Sequence, residues 1–304
     1  MEQFSLDFSN INIDKSLPVV SITNILSMLT EPFDKEGIAK KTHDKRFNDP
    51  TSEYYQKSVD EIINMWETKG AESCHYGSML DDYIGVNLTG TDMDVKLFKL
   101  ENNFTNDKRF HDLCESFDNF YKVMSKSGDT IFIDRERTVY HKVEFTDHNN
   151  PESKITYYIK GRFDALFYNK RTKKWIVIDW KSSGSIDKIP NRYTKQLFAP
   201  MDMYPALNYY TYTSQLFFYK MALVDDGYLP QGTTYDDVVV MIVNLPGKNI
   251  EGTSLNYAVH QAAFQFDTNL IEQLCVFGAL NDYKQKKEKL EKEKESEINL
   301  EEVF

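Results

Sequence analysis

The spacing of apolar and polar positions changes several times along the chain, and each change marks an element. Residues 154–168 are rich in β-branched and aromatic side chains. A polar turn follows at Asn169–Lys173, and a second apolar run spans Trp175–Asp179. This order predicts a β-hairpin. Apolar stretches at about 137–145 and at 237–244 predict an earlier and a later strand. Upstream, Val59, Ile63 and Trp66 recur at helical spacing, so 51–125 reads as mostly helical, with a second helix around 107–125. Further helices are expected near 205–223 and over 267–298. The second half of the last, KQKKEKLEKEKESE, is charged on every face. That is the pattern of a solvated extension with i,i+4 pairs, fraying at its end. Residues 1–50 form a lead-in with one short apolar segment and a basic, loop-like end, and no internal repeat is found.

The hairpin carries candidate chemistry in GRFDALFYNKRTKKWIVIDWK, residues 161–181. Side chains two apart on a strand share a face, so Asp179 and Lys181 project together. Folding at the polar turn brings Asp164 beside them. Two carboxylates and a lysine at a sheet edge suit the holding of a divalent metal against a phosphodiester. Hard cations such as Mg²⁺ take oxygen ligands and keep several waters, so two carboxylates suffice to anchor one. The cation polarises the phosphoryl oxygen and acidifies a water. The lysine adds a point charge that orients the attacking water and offsets charge in the transition state. The plainer alternative is that both acids are strand-end residues paired to neighbouring lysines.

GRFDAL, then IDWKSS, then a helix carrying Gln215 and Tyr219 in QLFFY, resembles the RecB-type branch of the PD-(D/E)xK nucleases. That branch carries a G-x-x-D strand, a D-x-K strand and a downstream Q-x-x-x-Y helix, in this order. The resemblance implies an α/β fold with a restriction-endonuclease-like core, a small mixed β-sheet flanked by helices. It also implies a metal-dependent enzyme acting on DNA. Carried over by position, Asp164 and Asp179 are metal ligands, the Trp180 carbonyl a further ligand, and Lys181 the catalytic lysine. Gln215 and Tyr219 share one helix face, with Tyr212, and are expected to touch that lysine or a DNA phosphate. The implied organisation is a mostly helical part (1–125) contributing to the active site, a nuclease core (126–266), and a C-terminal helix with a charged tail (267–304).

Upstream, LPVVSITNILSML and EPFDKEGIAKK are similar to the opening of phage and bacterial members of this branch. There a W…A…G-T-x-x-H pattern supplies a metal-binding histidine. Here Trp66, Ala71 and Gly77 are followed by Asp81 at the histidine's place, and the nearest histidine is His75. Six residues span about 600° of helical turn, so the two point in different directions. Position favours Asp81, an oxygen donor that suits Mg²⁺, whereas a histidine suits Mn²⁺ better. The alternatives are a solvated Asp81–Asp82 pair and an ordinary surface His75. Glu144, in VYHKVEF, is a further candidate ligand, or else an outward-facing strand residue.

Composition adjusts this reading without producing it. The 304 residues suffice for one large domain or two modest ones. No apolar run approaches the roughly 20 residues needed to span a bilayer, and no signal-peptide pattern opens the chain. The net charge of −11 works against strong non-specific DNA binding. Local basic stretches at Lys40–Arg46, Lys170–Lys174 and Lys188–Lys195 offset this. Among the 19 tyrosines, Tyr204, Tyr209, Tyr210 and Tyr212 form a cluster able to stack on unpaired bases, or to pack in the core. Cys74, Cys114 and Cys275 are too few for the four-cysteine iron–sulfur cluster of some relatives, and reduced thiols fit a cytosol. QFSLDF at 3–8 and INLEEVF at 298–304 are candidate docking peptides for a replication clamp or recombinase. The resulting expectation is a Mg²⁺- or Mn²⁺-dependent DNA exonuclease of replication, recombination or repair, in the cytoplasm of a bacterial or phage-infected cell. The alternative is a catalytically inactive DNA-end-binding or assembly protein of the same fold.

Overall fold

A computed structural model describes residues 6, 13–102, 104–147, 150–183, 186–251 and 253–301. Its organising feature is a long antiparallel ribbon that bends between two sheets. Strands β2 (Thr130–Arg135) and β3 (Thr138–Asp147) run along one edge, and β4 (Asn150–Arg162) and β5 (Ala165–Asn169) along the other. β3 pairs with β4 and β2 with β5, so both edges break at the same level, at Glu136–Arg137 and Phe163–Asp164. Two backbone hydrogen bonds close the break. The Glu136 amide donates to the Asp164 carbonyl at 3.2 Å, and the Phe163 amide to the Arg137 carbonyl at 3.3 Å.

On one side of the bend, β1 (Val19–Ser21) adds parallel to β4, giving a three-stranded sheet of order β1-β4-β3. On the other side, β6 (Lys174–Lys181) pairs antiparallel with β5. β7 (Val238–Asn244) then runs parallel to β6, and β8 (Ala258–His260) antiparallel to β7. The five-stranded order is β2-β5-β6-β7-β8. The hairpin and its polar turn are as the sequence predicts. The single strand expected over 154–168 is instead two strands in two sheets, because the ribbon changes sheet at Phe163–Asp164. The result is a mixed α/β fold with helix-flanked mixed sheets, consistent with a restriction-endonuclease-like core.

The helices start where local caps place them. α1 (Ile22–Ser27) is capped by Ser21. α2 (Lys35–Arg46) is capped by Asp34, which accepts from the Gly37 amide. The basic stretch in α2 was expected to be loop-like. The Asp34 cap and the cationic last turn, favourable to the helix dipole, make it helical. Capping boxes at Ser58–Glu61 and Thr91–Asp94 begin α3 (Val59–Thr89) and α4 (Asp92–Glu101). α5 (Lys108–Ser125), α6 (Asn208–Asp225) and α7 (Thr268–Glu301) complete the set. Of the two terminal motifs, residues 3–8 lie outside the described residues apart from Leu6. Only the helical backbone to Glu301 is described for 298–304.

Alternation along β6 divides the interior into two cores. Trp175 and Val177 face a core shared with α1, α6 and α7. Ile176, Ile178 and Trp180 face a second core built with α3 and α5. Cys275 lies in the first, Cys114 in the second, and Cys74 is exposed.

His141 fastens three elements of the first core. Its Nδ1 lies 2.8 Å from Asp226 at the end of α6, and its Nε2 2.7 Å from Glu272 of α7. Burial opposes the imidazolium, but hydrogen bonds to the two acids outweigh it and raise the pKa from 6.5 to about 9. The stabilisation is therefore complete below pH 6.5 and lost as the pH rises through 9. His141→Gln should destabilise the protein by roughly 2 kcal/mol at pH 6. Chemical denaturation should show the gap to wild type closing by about pH 10.

Candidate active site

The site forms where the ribbon bend meets the end of β6. Alternation turns Trp180 towards α5, where its indole meets Phe117 and Phe120 edge-on at 5.8 and 5.7 Å. Asp179 and Lys181 point the opposite way, towards α6. The Trp180 amide donates to Asp164 Oδ2 at 2.7 Å, which ties the bend to β6. Lys181 Nζ lies 2.6 Å from Asp179 Oδ2. The structure thus brings Asp164, Asp179, Trp180 and Lys181 together, in the arrangement the hairpin reading expects.

α6 covers the same face. The Tyr212 ring centroid is 4.5 Å from Lys181 Nζ. The Tyr219 hydroxyl donates to the Arg162 carbonyl at 2.7 Å, and Gln215 Nε2 donates to that hydroxyl at 2.6 Å. Gln215 and Tyr219 therefore brace the backbone two residues before Asp164, while Tyr212 makes the contact with the lysine. Gly161 permits this. A Cβ there would lie 2.5 Å from Tyr219 Cε1 and 2.8 Å from Phe218 Cε1.

A cleft of about 290 Å³ opens over the cluster. Gly77, Leu80, Asp81 and Ile84 of α3 form one wall, and Glu136, Arg162, Asp164, Trp180, Lys181 and Ser182 the other. Asp81 reaches the cleft, where Arg135 Nη2 holds its Oδ2 at 2.9 Å. Gly85, one turn along α3, leaves room for that guanidinium. His75 is exposed, rests against Tyr76 and does not line the cleft.

Glu144 requires a correction. It is exposed on β3, pairs with Lys142 at 3.0 Å, and sits six residues from Thr138, the register partner of Arg162. At strand rise that is about 20 Å from the bend. The additional carboxylate at the cleft is Glu136, in the ribbon break, with a left-handed φ of 49°. It lies 3.6 Å from Arg162 and 3.9 Å from Arg135. Sequence reading missed Glu136, Arg135 and Arg162, because only the doubled break brings them to the cleft. The one sequence signal is that Arg162 lies inside GRFD. Tyr204 and Tyr210 also differ from the base-stacking expectation. Both stack on Phe264, at 4.4 and 6.4 Å.

Burial and the neighbouring Asp179 raise the pKa of Asp164, against Lys181. Burial likewise raises Asp179, which is 2% exposed. Burial disfavours the charge on Lys181, but Asp179 and Asp164 outweigh it and hold the amine protonated. Beyond the ion pair, no donor is aimed at the buried Asp179 Oδ2 in hydrogen-bonding geometry. A carboxylate oxygen left so, beside a second carboxylate in a cleft, is a donor set that fits a hard divalent cation. His111, Asp112 and Glu115 on α5 also have ligand atoms within 4.8 Å of one another. Asp112 is paired there with Lys108, and none of the three lines the cleft.

Asp164 and Lys181 line the cleft at the end of a mixed sheet, with the buried Asp179 ion-paired to Lys181 behind them. Comparison with known families matches residues 105–302 to the PD-(D/E)XK nuclease superfamily, and the chain belongs to it. Nucleases of this superfamily use divalent metals. The match takes in α5 through α7 and leaves Asp81 outside. No curated protein matches the chain significantly.

Gly161→Ala should force Tyr219 off the Arg162 carbonyl and destabilise the fold by about 1–3 kcal/mol, read as a lowered midpoint in urea unfolding. Asp164→Asn should act oppositely on the metal-free protein. A raised carboxylate pKa means stability is lost as pH rises through it, so removing the charge should stabilise by roughly 1–2 kcal/mol at pH 8–9 and little at pH 5. Added Mg²⁺ should raise the melting temperature of wild type and not of the variant.

Proposed function

We propose that the protein is a divalent-metal-dependent deoxyribonuclease, acting as an exonuclease on DNA ends in replication, recombination or repair. The observation that carries this reading is the convergence of Asp164, Asp179 and Lys181 at the ribbon bend, with Asp164 and Lys181 lining the cleft and Asp179 ion-paired to Lys181 behind it. Asp164 and Asp179, with the Trp180 carbonyl, would hold Mg²⁺ or Mn²⁺, and Asp81 is placed to join them if Arg135 releases it. The bound cation would supply Lewis-acid polarisation of the phosphoryl group.

The chain's own groups then have distinct tasks. Lys181, held protonated, donates to a phosphoryl oxygen and offsets the charge gained in the transition state. A water oxygen, giving up a proton to solvent, forms the new P–O bond while the bond to one bridging oxygen breaks and that oxygen takes up a proton. Tyr212 fixes the lysine, and Tyr219 with Gln215 fixes the strand that carries Asp164. Arg162, with its side chain 64% exposed beside the cleft, is available to a neighbouring phosphate. α2 carries five lysines and arginines against two acids, a locally basic segment on an acidic chain, although Lys35 and Arg46 are paired to Glu67 and Asp49; it is compatible with DNA as the partner. Among the described residues no helix is long and apolar enough to cross a membrane. We place the protein in the cytoplasm of a bacterial or phage-infected cell.

End-labelled linear single- and double-stranded DNA, beside a closed circle, tests the proposal with Mg²⁺, Mn²⁺ or chelator. Wild type should degrade linear DNA only with metal and spare the circle. Lys181→Ala should be slower by roughly 10²–10³-fold. Cleaved circles would make the protein an endonuclease. A wild type and variant equally inert but both binding DNA would replace catalysis with an end-binding role.

A further inference from the structure

The clasp of Asp81 by Arg135 ties the two walls of the cleft together. Arg135 ends β2 and pairs with Ala165, the residue after Asp164. Side chains opposite one another across paired strands share a face, and Ala165 faces the core built with α3. Arg135 therefore points at α3. Its Nη2 donates to Asp81 Oδ2 at 2.9 Å and to the Asp81 carbonyl at 3.2 Å, so one nitrogen holds the carboxylate and the main chain of the same residue. Among the described residues this is the one ion pair between α3 and a strand.

The clasp needs a niche of its own. The Arg135 side chain is 17% exposed, and its Nε is buried with no hydrogen-bond partner. Burying an ion with an unpaired donor is a weak way to stabilise a fold, so stability alone does not account for the arrangement. Gly85 makes the room. A Cβ there would overlap Nη1 and lie 2.7 Å from Cζ, and the three atoms nearest it all belong to this guanidinium. Asp81 meanwhile sits near the acids of the cation site. It lines the same cleft as Asp164, and its charge is one of those that raise the Asp164 pKa. Gly77, one turn earlier on α3, comes so close to the end of β6 that a Cβ there would lie 3.5 Å from Ser182 Oγ.

We propose that Arg135 sets the cation preference of the site by holding Asp81 off the metal. Two carboxylates and several retained waters suit Mg²⁺, whereas Ca²⁺ takes about six to eight oxygens and is bound more tightly as carboxylates are added. Released, Asp81 would supply a third. The clasp thus keeps a cleft with three acids near one another working as a two-carboxylate site. Arg135 is a positioning residue, acting through Asp81. The inference rests on the metal-dependent nuclease reading and deepens it.

The test is calorimetric titration of Mg²⁺ and of Ca²⁺ into chelator-stripped protein, without DNA. Gly85→Ala displaces the guanidinium without changing any charge, and alanine is the better helix former. Its Ca²⁺ affinity should exceed that of wild type by roughly tenfold, and its Mg²⁺ affinity by less. A mere change of field would act on both ions alike. Adding Asp81→Asn to Gly85→Ala should remove the gain. Arg135→Gln should show the same gain, again lost with Asp81→Asn, and carries the test if Gly85→Ala does not fold. Wild-type Ca²⁺ affinity in folded Gly85→Ala or Arg135→Gln overturns the inference and leaves the nuclease reading standing. So does a gain that survives Asp81→Asn or is as large for Mg²⁺. A wild type that binds neither cation overturns both.

Discussion

The break in the ribbon at Phe163–Asp164 is the constraint on which the rest of the site depends. A strand cannot serve two sheets without leaving one, and the residue at the crossing is freed from the ladder. Asp164 stands at that point, and its carboxylate accepts from the Trp180 amide in the neighbouring strand. The bond couples the bend to β6, whose alternation sends Asp179 and Lys181 to one face. The same geometry sets the electrostatic tension of the site. Two carboxylates are brought close in a poorly solvated corner with a single lysine between them, and burial raises both pKa values. A bound cation would relieve that tension.

Much of this was legible in the sequence, for local reasons. The polar turn at Asn169–Lys173 and the period-two alternation of β6 need no tertiary information, so the Asp164–Asp179–Lys181 set followed from strand geometry. The four-residue spacing of Gln215 and Tyr219 placed them on one helix face. What they touch was not legible, since the nearness of the Arg162 carbonyl depends on how closely α6 sits on β4 at Gly161. Glu144 and Glu136 show the limit most clearly. Glu136 lies just before β3 and Glu144 within it, and only the doubled break tells which one is turned into the cleft. α2 was misread because its basic composition outweighed a single capping aspartate, Asp34. Asp81 lines the cleft, but its clasp by Arg135 depends on space left by Gly85, which spacing does not reveal.

The two cores have a consequence for how such a protein changes over time. Leu80, Tyr83 and Ile84 pack with Phe117 and Phe120 on one side of the five-stranded sheet, while Tyr219 and its neighbours pack on the other. Asp179 and Lys181 face the α6 side, yet α3 of the opposite side walls the cleft that Lys181 lines. Altered or re-angled helices in that wall would change what enters the cleft while leaving the spacing of the strand-end residues untouched. The sheet works as a fixed anvil under an exchangeable tool head. One chemistry can then be refitted to new substrates without being rebuilt.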